Sequence, residues 1–340
     1  MRKFFCFSVL VPLIAAANAA YAAHDQTAMV VTASNATNNQ LLVYSTSGNL
    51  LQMVNTQGKG GASGNAGGVE ANGSQVAVVN FGSQNVSIFE RHNNGFQMME
   101  LVPAASSPLS VAYGNGHLYI LGTTKVESHR LNGQNVSSNP DGVVNLLLAD
   151  GSAAQVGVVQ NQLIISEKTN VIETVNLLPD GSVSGVATLV QNIPANVNAP
   201  FGLITRGDDA YVTIAHADEI SLVRHGTVLT VTPSVTQHAP CWLTLVGPFL
   251  YSSNSPSMTI SRYAVYGQKI VQDLAVAAQL SGSPSDIASG GGLVAVIDAS
   301  GSVTHLSIFS MDEDGNLTLQ QPAAVINAVA NGVAIVTTAD

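Results

Sequence analysis

The sequence predicts an all-β protein folded as one seven-bladed β-propeller with four-stranded blades. A small or proline-led turn followed by a short apolar strand recurs seven times, and the copies are 40 to 47 residues apart. A propeller blade of four strands occupies roughly 40–50 residues. The aligned fourth positions of the repeat are Val69, Val111, Val156, Leu203, Leu243, Ile287 and Val333. Charged residues make up only 9% of the chain beside 31 glycines, a composition that favours polar turns between strands over charged helical surfaces.

The second repeat unit shows the order of strands within a blade. Turn residues such as Asn72-Gly73 separate its apolar segments, and Asn-Gly turns join antiparallel neighbours. Outside the first residues no stretch has a 3.6-residue apolar period, so we expect few helices. The predicted strands are Val69–Ala71, Gln75–Asn80, Val86–Arg91 and Phe96–Val102.

The two ends of the chain predict how the ring closes. The last repeat copy supplies one strand, Val333 to Thr338, whereas the first residues after the N-terminal segment supply Met29–Ala33, Leu41–Ser45 and Leu50–Asn55. One C-terminal strand and three N-terminal strands complete a blade, which removes the exposed sheet edges of an open array.

Residues 1–22 have the features of a secretory signal peptide. Arg2 and Lys3 precede the apolar run Phe4 to Ala17, and Ala20-Tyr21-Ala22 is a small-x-small cleavage site. We therefore expect export to the periplasm or the extracellular space, without a membrane anchor, and a single propeller domain over residues 23–340. Cys241 is then the only cysteine left after cleavage, so no intrachain disulfide is expected.

The excess of acidic over basic residues indicates which kinds of partner the protein can bind. The chain has 11 basic and 21 acidic residues, and phosphate binding needs clustered Lys and Arg. We therefore expect no nucleic acid partner. The expected form is a monomer without cofactor or metal that binds an unidentified small molecule or protein.

Four segments resemble the exported lactonase-like β-propellers, the Tyr-Val-Thr-Asn repeat proteins grouped with 6-phosphogluconolactonase and carboxymuconate cyclase. The resemblance covers nearly the whole chain after the signal, and it implies the same seven-bladed fold. Its segments are Val76–Asn80 with Asn85–Phe89, Ser166–Asn170 followed by Pro179–Gly181, Ala199–Gly202, and Ala239–Trp242 leading into Tyr251–Asn254.

For the lactonase and cyclase branches, the resemblance implies a catalytic centre of His, Glu and Arg at the central pore. Glu167 stands where those enzymes place a glutamate after a blade's second strand. The two histidines that accompany it there are missing, because the preceding stretch reads Gln155-Val156-Gly157-Val158-Val159-Gln160-Asn161. Attack on a lactone carbonyl requires water activation together with charge stabilisation.

Five residues are the candidates for a functional site. Glu167 is the catalytic candidate, and the ligand-binding candidates are Glu167, Lys168, Arg206, His216 and Asn254. The alternative for Glu167 and Lys168 is an exposed ion pair, which would stabilise the fold by only about 0–1 kcal/mol.

Three other segments fit structural roles better than functional ones. His216, Asp218 and Glu219 lack the ligand spacing of a metal site, and a polar loop is expected. The stretch Gly58 to Gly68 is glycine-rich but precedes no helix, so it is interpreted as a flexible connection rather than a phosphate loop. Asp312–Asn316 is expected to form a hairpin turn, and Cys241 a buried structural thiol.

The leading functional hypothesis is a propeller that binds a small molecule or a macromolecule on one face or in the pore, without catalysis. The innermost segments contribute the carboxylates Glu70 and Asp286 but no histidine. From that we expect no general base poised near neutral pH and no appreciable lactonase turnover. The alternative is a lactone hydrolase, which would require Glu167 to face the pore near a histidine and Arg206 or Arg224.

Overall fold

Seven antiparallel sheets stand around one axis in the computed structural model, which describes residues 28–93, 95–191 and 199–337. The innermost strand of each sheet contacts the innermost strands of both neighbouring sheets, and these contacts close into a ring. The predicted seven-bladed propeller is confirmed. The predicted signal peptide, residues 1–22, lies outside the described residues.

Blades 1 to 4 follow the chain in order, and each runs from its inner to its outer strand. Blade 1 contains β1 (Met29–Ala33), β2 (Gln40–Ser45) and β3 (Leu50–Asn55). Blade 2 contains β4 (Val69–Asn72), β5 (Gln75–Asn80), β6 (Asn85–His92) and β7 (Gly95–Pro103). Blade 3 contains β8 (Pro108–Gly114), β9 (His117–Gly122), β10 (Lys125–Asn132), β11 (Asn135–Val136) and β12 (Gly142–Asn145). Blade 4 contains β13 (Ala153–Val159), β14 (Gln162–Glu167), β15 (Val171–Leu177) and β16 (Val183–Leu189).

Blades 5 to 7 continue the same order, and one further strand returns to blade 1. Blade 5 contains β17 (Pro200–Arg206), β18 (Asp209–Ile214), β19 (Glu219–Arg224) and β20 (Thr227–Pro233). Blade 6 contains β21 (Pro240–Val246), β22 (Phe249–Asn254), β23 (Thr259–Tyr266) and β24 (Lys269–Gln279). Blade 7 contains β25 (Ser283–Gly290), β26 (Leu293–Ser300), β27 (Val303–Met311), β28 (Leu317–Leu319) and β29 (Ala324–Ile326), and the final strand is β30 (Asn331–Val336).

The outer strand is divided in blades 3 and 7. In blade 3, β11 and β12 both pair with β10, and in blade 7, β28 and β29 both pair with β27. The repeat therefore predicts four strand positions correctly, but two of its outermost positions are each filled by two short strands.

Ring closure occurs between β1 and β30, which pair antiparallel with Val31 opposite Ala334. The buried Thr32 hydroxyl donates to the Gly332 carbonyl at 2.6 Å. The predicted closure by one C-terminal and three N-terminal strands is confirmed. The closing strand begins two residues earlier than predicted, and Thr338 lies outside the described residues.

The hydrophobic core lies between neighbouring blades, where large side chains from facing sheets pack together. Tyr119 and Tyr251 are fully buried there, and their hydroxyls donate to the carbonyls of Gly181 and Gly315 in the next blade at 2.7 and 2.6 Å. These bonds satisfy the polar ends of buried rings. The helical turns in the described part of the chain are two 3₁₀ turns, Phe81–Ser83 and Ala215–Ala217.

Candidate functional site

The central channel has two different ends. The innermost strands begin at one face, here called the top face, and turn into the second strands at the other, the bottom face. The segment Asn65–Gly68, here called the plug, lies across the channel at the top face, in the connection between β3 and β4.

The plug is fixed by hydrogen bonds to several blades. The Ala66 amide donates to the Ala154 carbonyl at 3.3 Å, and the Gly67 carbonyl accepts from the Val111 amide at 2.8 Å. Asn65 and Ala66 are buried, with exposures of 1% each. The expectation that this stretch is a flexible connection is therefore wrong for the plug, since its polar backbone groups are bonded to distant strands.

Gly67 explains why the plug can sit so close to the innermost strands. Its φ is +65°, a left-handed conformation that glycine adopts without strain. A Cβ at this position would also lie 2.8 Å from the Ser110 hydroxyl oxygen. The glycine content of the segment thus allows close packing.

Below the plug lies a cavity of about 270 Å³, of which Gly67 forms part of the inner wall. A second cavity of about 160 Å³ shares Glu70, Gln155 and Ile204 with it. The channel is therefore a blind cavity that extends from the plug along the innermost strands towards the bottom face.

Two carboxyl groups line this cavity. Glu70 follows the fourth position of its repeat, and Asp286 precedes the fourth position of its own. These two registers differ by two residues, and side chains two residues apart point to the same face of a strand. The register therefore directs both side chains into the channel, and both line the larger cavity.

Both carboxyl groups titrate near neutral pH. Burial raises the pKa of Glu70 to about 8, and the charge of Asp286 raises it further. Burial also raises the pKa of Asp286, to about 7, although hydrogen bonds from the amides of Ile287, Gly67 and Val333 lower it. The expectation that the pore lacks a group poised near neutral pH is therefore wrong, because it took no account of burial at the channel wall.

Neutral polar groups complete the cavity. The Gln155 side-chain oxygen accepts from the Leu203 amide at 2.7 Å, and the hydroxyls of Thr244 and Ser289 lie 2.6 Å apart. The buried Tyr113 hydroxyl has no hydrogen-bond partner, and burial raises the pKa of Tyr113. These groups can orient a polar ligand.

Glu167 lies outside the channel. It ends β14, is completely buried, and accepts a hydrogen bond of 2.8 Å from the Ser152 hydroxyl, while its second oxygen has no partner. Burial raises its pKa to about 8, and the charges of Glu173 and Asp150 raise it further. Glu167 thus neither lines the pore nor forms an exposed ion pair with Lys168.

Lys168 lies in the turn that follows β14. Its ammonium group donates to the carbonyl of Gly64, next to the plug, at 2.7 Å. Burial lowers the pKa of Lys168, and the charge of Glu167 partly opposes that effect.

The two arginines considered as partners of Glu167 lie at the opposite face. Arg206 ends β17 at the bottom face, where it donates to the Gly247 carbonyl at 2.6 Å. Arg224 ends β19 and contacts Asp209 at 2.7 Å. The structure thus does not bring Glu167 together with either arginine.

Asn254 and His216 differ in exposure. Asn254 is completely buried and donates to the hydroxyls of Thr259 and Ser261 at 3.1 and 2.8 Å within its own blade. His216 is exposed on the second 3₁₀ turn at the top face. Within the described ranges, no group of three or more His, Cys, Asp or Glu residues is placed to hold a metal ion.

The structural expectations for Cys241 and the 312–316 turn are confirmed. Cys241 is 7% exposed, and burial raises its thiol pKa to about 11. The Asp312 carboxylate accepts from the Asn316 amide at 2.7 Å across the hairpin. In the part of the chain that the structure describes, no helix has the length and apolar character needed to cross a membrane.

Comparison with known proteins finds similarity to solved structures only. No protein-family model matches the sequence. A search of curated proteins also found no match.

Solved structures of the same architecture cover almost the whole chain. A candidate 6-phosphogluconolactonase from Bacteroides uniformis has a TM-score of 0.66 at 15% identity, over 91% of this chain and 99% of its own. A second, from Bacteroides fragilis, has a TM-score of 0.66 at 14% identity over 93% and 100%. The periplasmic gluconolactonase PpgL of Pseudomonas aeruginosa has a TM-score of 0.62 at 14% identity over 92% and 99%. The chain therefore has the fold of lactonase-like seven-bladed β-propellers, and at this identity the likeness concerns the fold.

Proposed function

We propose that the protein hydrolyses a lactone or a related cyclic ester in the blind channel. The observation that carries the proposal is the pair of cavity-lining carboxyls, Glu70 and Asp286, whose pKa values of about 8 and about 7 bracket the pH at which an acid and a base must coexist. The names of the structural neighbours, which include a gluconolactonase, support the same reaction class.

In the proposed reaction, Asp286 acts as the general base and Glu70 as the general acid. Asp286, the more acidic member, takes a proton from a water molecule, whose oxygen then forms a bond to the lactone carbonyl carbon. The acyl–oxygen bond of the ring breaks, and the departing ring oxygen receives the proton of Glu70. Water and lactone thus become a hydroxy acid, and two groups whose environments separate their pKa values perform opposite roles.

The test is hydrolysis of a panel of lactones by the purified protein and its variants. We expect Glu70→Gln and Asp286→Asn each to lower kcat/KM by about 10²–10⁴-fold, the range for general acid–base groups. Glu313→Gln, on an exposed hairpin, is the matched control and should retain wild-type activity. Full activity of the two channel variants would refute the proposed site.

Glu167 provides a second arm of this test. Its burial, raised pKa and unpartnered oxygen make it the alternative acid–base candidate. Loss of turnover in Glu167→Gln, with Glu70→Gln still active, would place the reaction at the top face instead.

Binding without turnover is the second candidate function. It is favoured by Asp286, whose carboxylate accepts from the amides of Ile287, Gly67 and Val333 at 2.8, 3.2 and 3.3 Å. A group held in this way can shape a ligand site without acting as a base. Tight lactone binding with no product formed would support this alternative.

Export to the periplasm or beyond is a further part of the proposal. It is supported by the signal-like residues 1–22 and by a structural neighbour named as periplasmic. N-terminal sequencing of the protein from its native cell should find a start near Ala23, whereas cytosolic protein beginning at Met1 would refute it.

A further inference from the structure

The channel wall carries charge of one sign. Among the described residues that line the two joined cavities, the titratable groups are Glu70, Tyr113 and Asp286, and Lys, Arg and His are absent. Aliphatic side chains also line the cavities, and they belong to Val156, Val158, Leu203, Ile204, Leu243 and Leu245. An ionised carboxylate in this cavity therefore meets no compensating cation on the wall.

The arginine at the bottom rim is already engaged. The guanidinium of Arg206 donates to the Gly247 carbonyl at 2.6 Å and to the Tyr211 hydroxyl at 3.3 Å. Its carbon lies 6.0 Å from the centre of the Tyr211 ring. These contacts hold the Arg206 guanidinium against the Gly247 turn of blade 6 and the Tyr211 side chain of blade 5.

We propose that the channel admits uncharged lactones and releases the acid product by charge repulsion, an inference that rests on the proposed hydrolysis. The substrate is neutral, whereas ring opening leaves a carboxylate in the same blind cavity as Glu70 and Asp286. Like charges repel more strongly in a confined, poorly solvated space than in bulk water. The cavity therefore binds the neutral lactone more tightly than the carboxylate product of its hydrolysis.

The same argument separates two classes of sugar lactone. A phosphate ester adds negative charge to the substrate itself, and the cavity wall offers no Lys or Arg to pair with it in the part of the chain described. The aliphatic side chains can cover the apolar face of a sugar ring, while Gln155, Thr244 and Ser289 can reach its hydroxyls. The substrate class is thus an unphosphorylated aldonolactone or a similar neutral cyclic ester.

The test compares binding of a neutral and an anionic analogue by isothermal titration calorimetry at pH 8. The probes are glucono-1,5-lactam, which keeps the ring and is not an ester, gluconate, and 6-phosphogluconate. We expect the wild-type protein to bind the lactam at least about tenfold more tightly than gluconate, and 6-phosphogluconate more weakly still.

Two nearly isosteric variants change the wall charge in opposite directions. Glu70→Gln removes a carboxyl group that can carry a negative charge, and it should narrow the preference for lactam over gluconate. Gln155→Glu adds one while keeping the oxygen that accepts from the Leu203 amide, and it should widen the preference. Glu313→Gln removes a carboxyl group on an exposed hairpin and should leave the preference unchanged.

The outcomes separate this inference from the proposed reaction. Equal binding of lactam and gluconate, a preference that neither variant moves, or no lactam binding would overturn charge selection. Lactam preference without turnover of any lactone would retain the selectivity and overturn the hydrolysis. Turnover with gluconate inhibiting as strongly as the lactam would retain the hydrolysis and overturn the selectivity.

Discussion

Asn65 and Asn331 form a reciprocal pair of amide hydrogen bonds although 266 residues separate them in the chain. Each side chain donates to the oxygen of the other, at 3.1 and 2.9 Å, and both residues are buried. The pair joins the plug to the strand that closes the ring. The sealed end of the channel and the closure of the propeller are therefore one connected structure.

Breaking this pair should destabilise the protein non-additively. Asn65→Ala leaves the buried Asn331 amide unpaired, and Asn331→Ala leaves the Asn65 side-chain oxygen without its donor, although the Asn65 nitrogen still donates to the Leu109 carbonyl. Each change should cost about 1–3 kcal/mol in the free energy of unfolding. The double variant should cost less than the two single changes together, because the second change removes a group that is already unpaired. Denaturant unfolding of all four proteins measures the coupling, and strict additivity would contradict the pairing.

Glu70 should make stability fall with rising pH. Its pKa is raised in the folded state from 4.5 to about 8, so the folded protein binds more protons than the unfolded chain between those values. The contribution of the protonated group is complete below about pH 4.5 and is lost as the pH rises through 8. The Glu70→Gln variant should not show this loss of folding stability, because glutamine does not titrate.

The measurement is the difference in unfolding free energy between Glu70→Gln and the wild type across pH 4 to 9. We expect the variant to gain about 1–3 kcal/mol relative to the wild type over this range. Glu313→Gln serves as the control for charge alone. A difference that does not change with pH would show that Glu70 is solvated like an ordinary surface carboxylate.

Deleting Gly332–Asp340 should open the ring. The deletion removes most of β30, the partner of β1, and exposes apolar surface on two neighbouring blades, which costs several kcal/mol at about 25 cal/mol per Å². We expect aggregation and a lower Tm in thermal scans. A truncation that removes only residues 338–340 leaves β30 whole and is the control. An unchanged Tm after the longer deletion would contradict the closure.

Asn254→Ala should lower the free energy of unfolding, because the Asn254 side chain has a structural role within its blade. The Asn254 amide donates to Thr259 and Ser261, as the amide of Asn80 donates to Asn85 and Ser87 in blade 2. We expect a loss of about 1–3 kcal/mol for either Asn→Ala change. A variant that keeps its unfolding free energy but loses lactam binding would show instead that Asn254 contacts the ligand.

The repeat made the fold predictable to within a few residues. The predicted strands Gln75–Asn80 and Leu50–Asn55 coincide with β5 and β3, because turn residues bound each apolar segment. The plug was not predictable in this way. Its glycine content suggested flexibility, whereas its partners Leu109, Ala154 and Asn331 lie far away in the sequence.

The site was only partly predictable for a related reason. Glu167 is a candidate because it stands where the resembling lactonases place a glutamate. Whether a side chain faces the pore or a neighbouring blade, however, depends on the register of its strand. Alternation from the aligned fourth positions directs Glu70 and Asp286 inward, and that signal was present in the sequence. The raised pKa values of Glu70 and Asp286 could not be predicted from the sequence, since their burial arises only when seven distant segments converge.

The position of the plug in the chain also sets an order of assembly. Residues 65–68 are synthesised early, whereas their partners Asp286 and Asn331 come from β25 and β30, the last two innermost strands. The bonds of the plug to Leu109 and Ala154 need only blades 3 and 4, whereas its bond to Asn331 needs the final strand. A chain halted before β30 would lack the innermost strand of blade 1 and the Asn331 side chain that pairs with the plug.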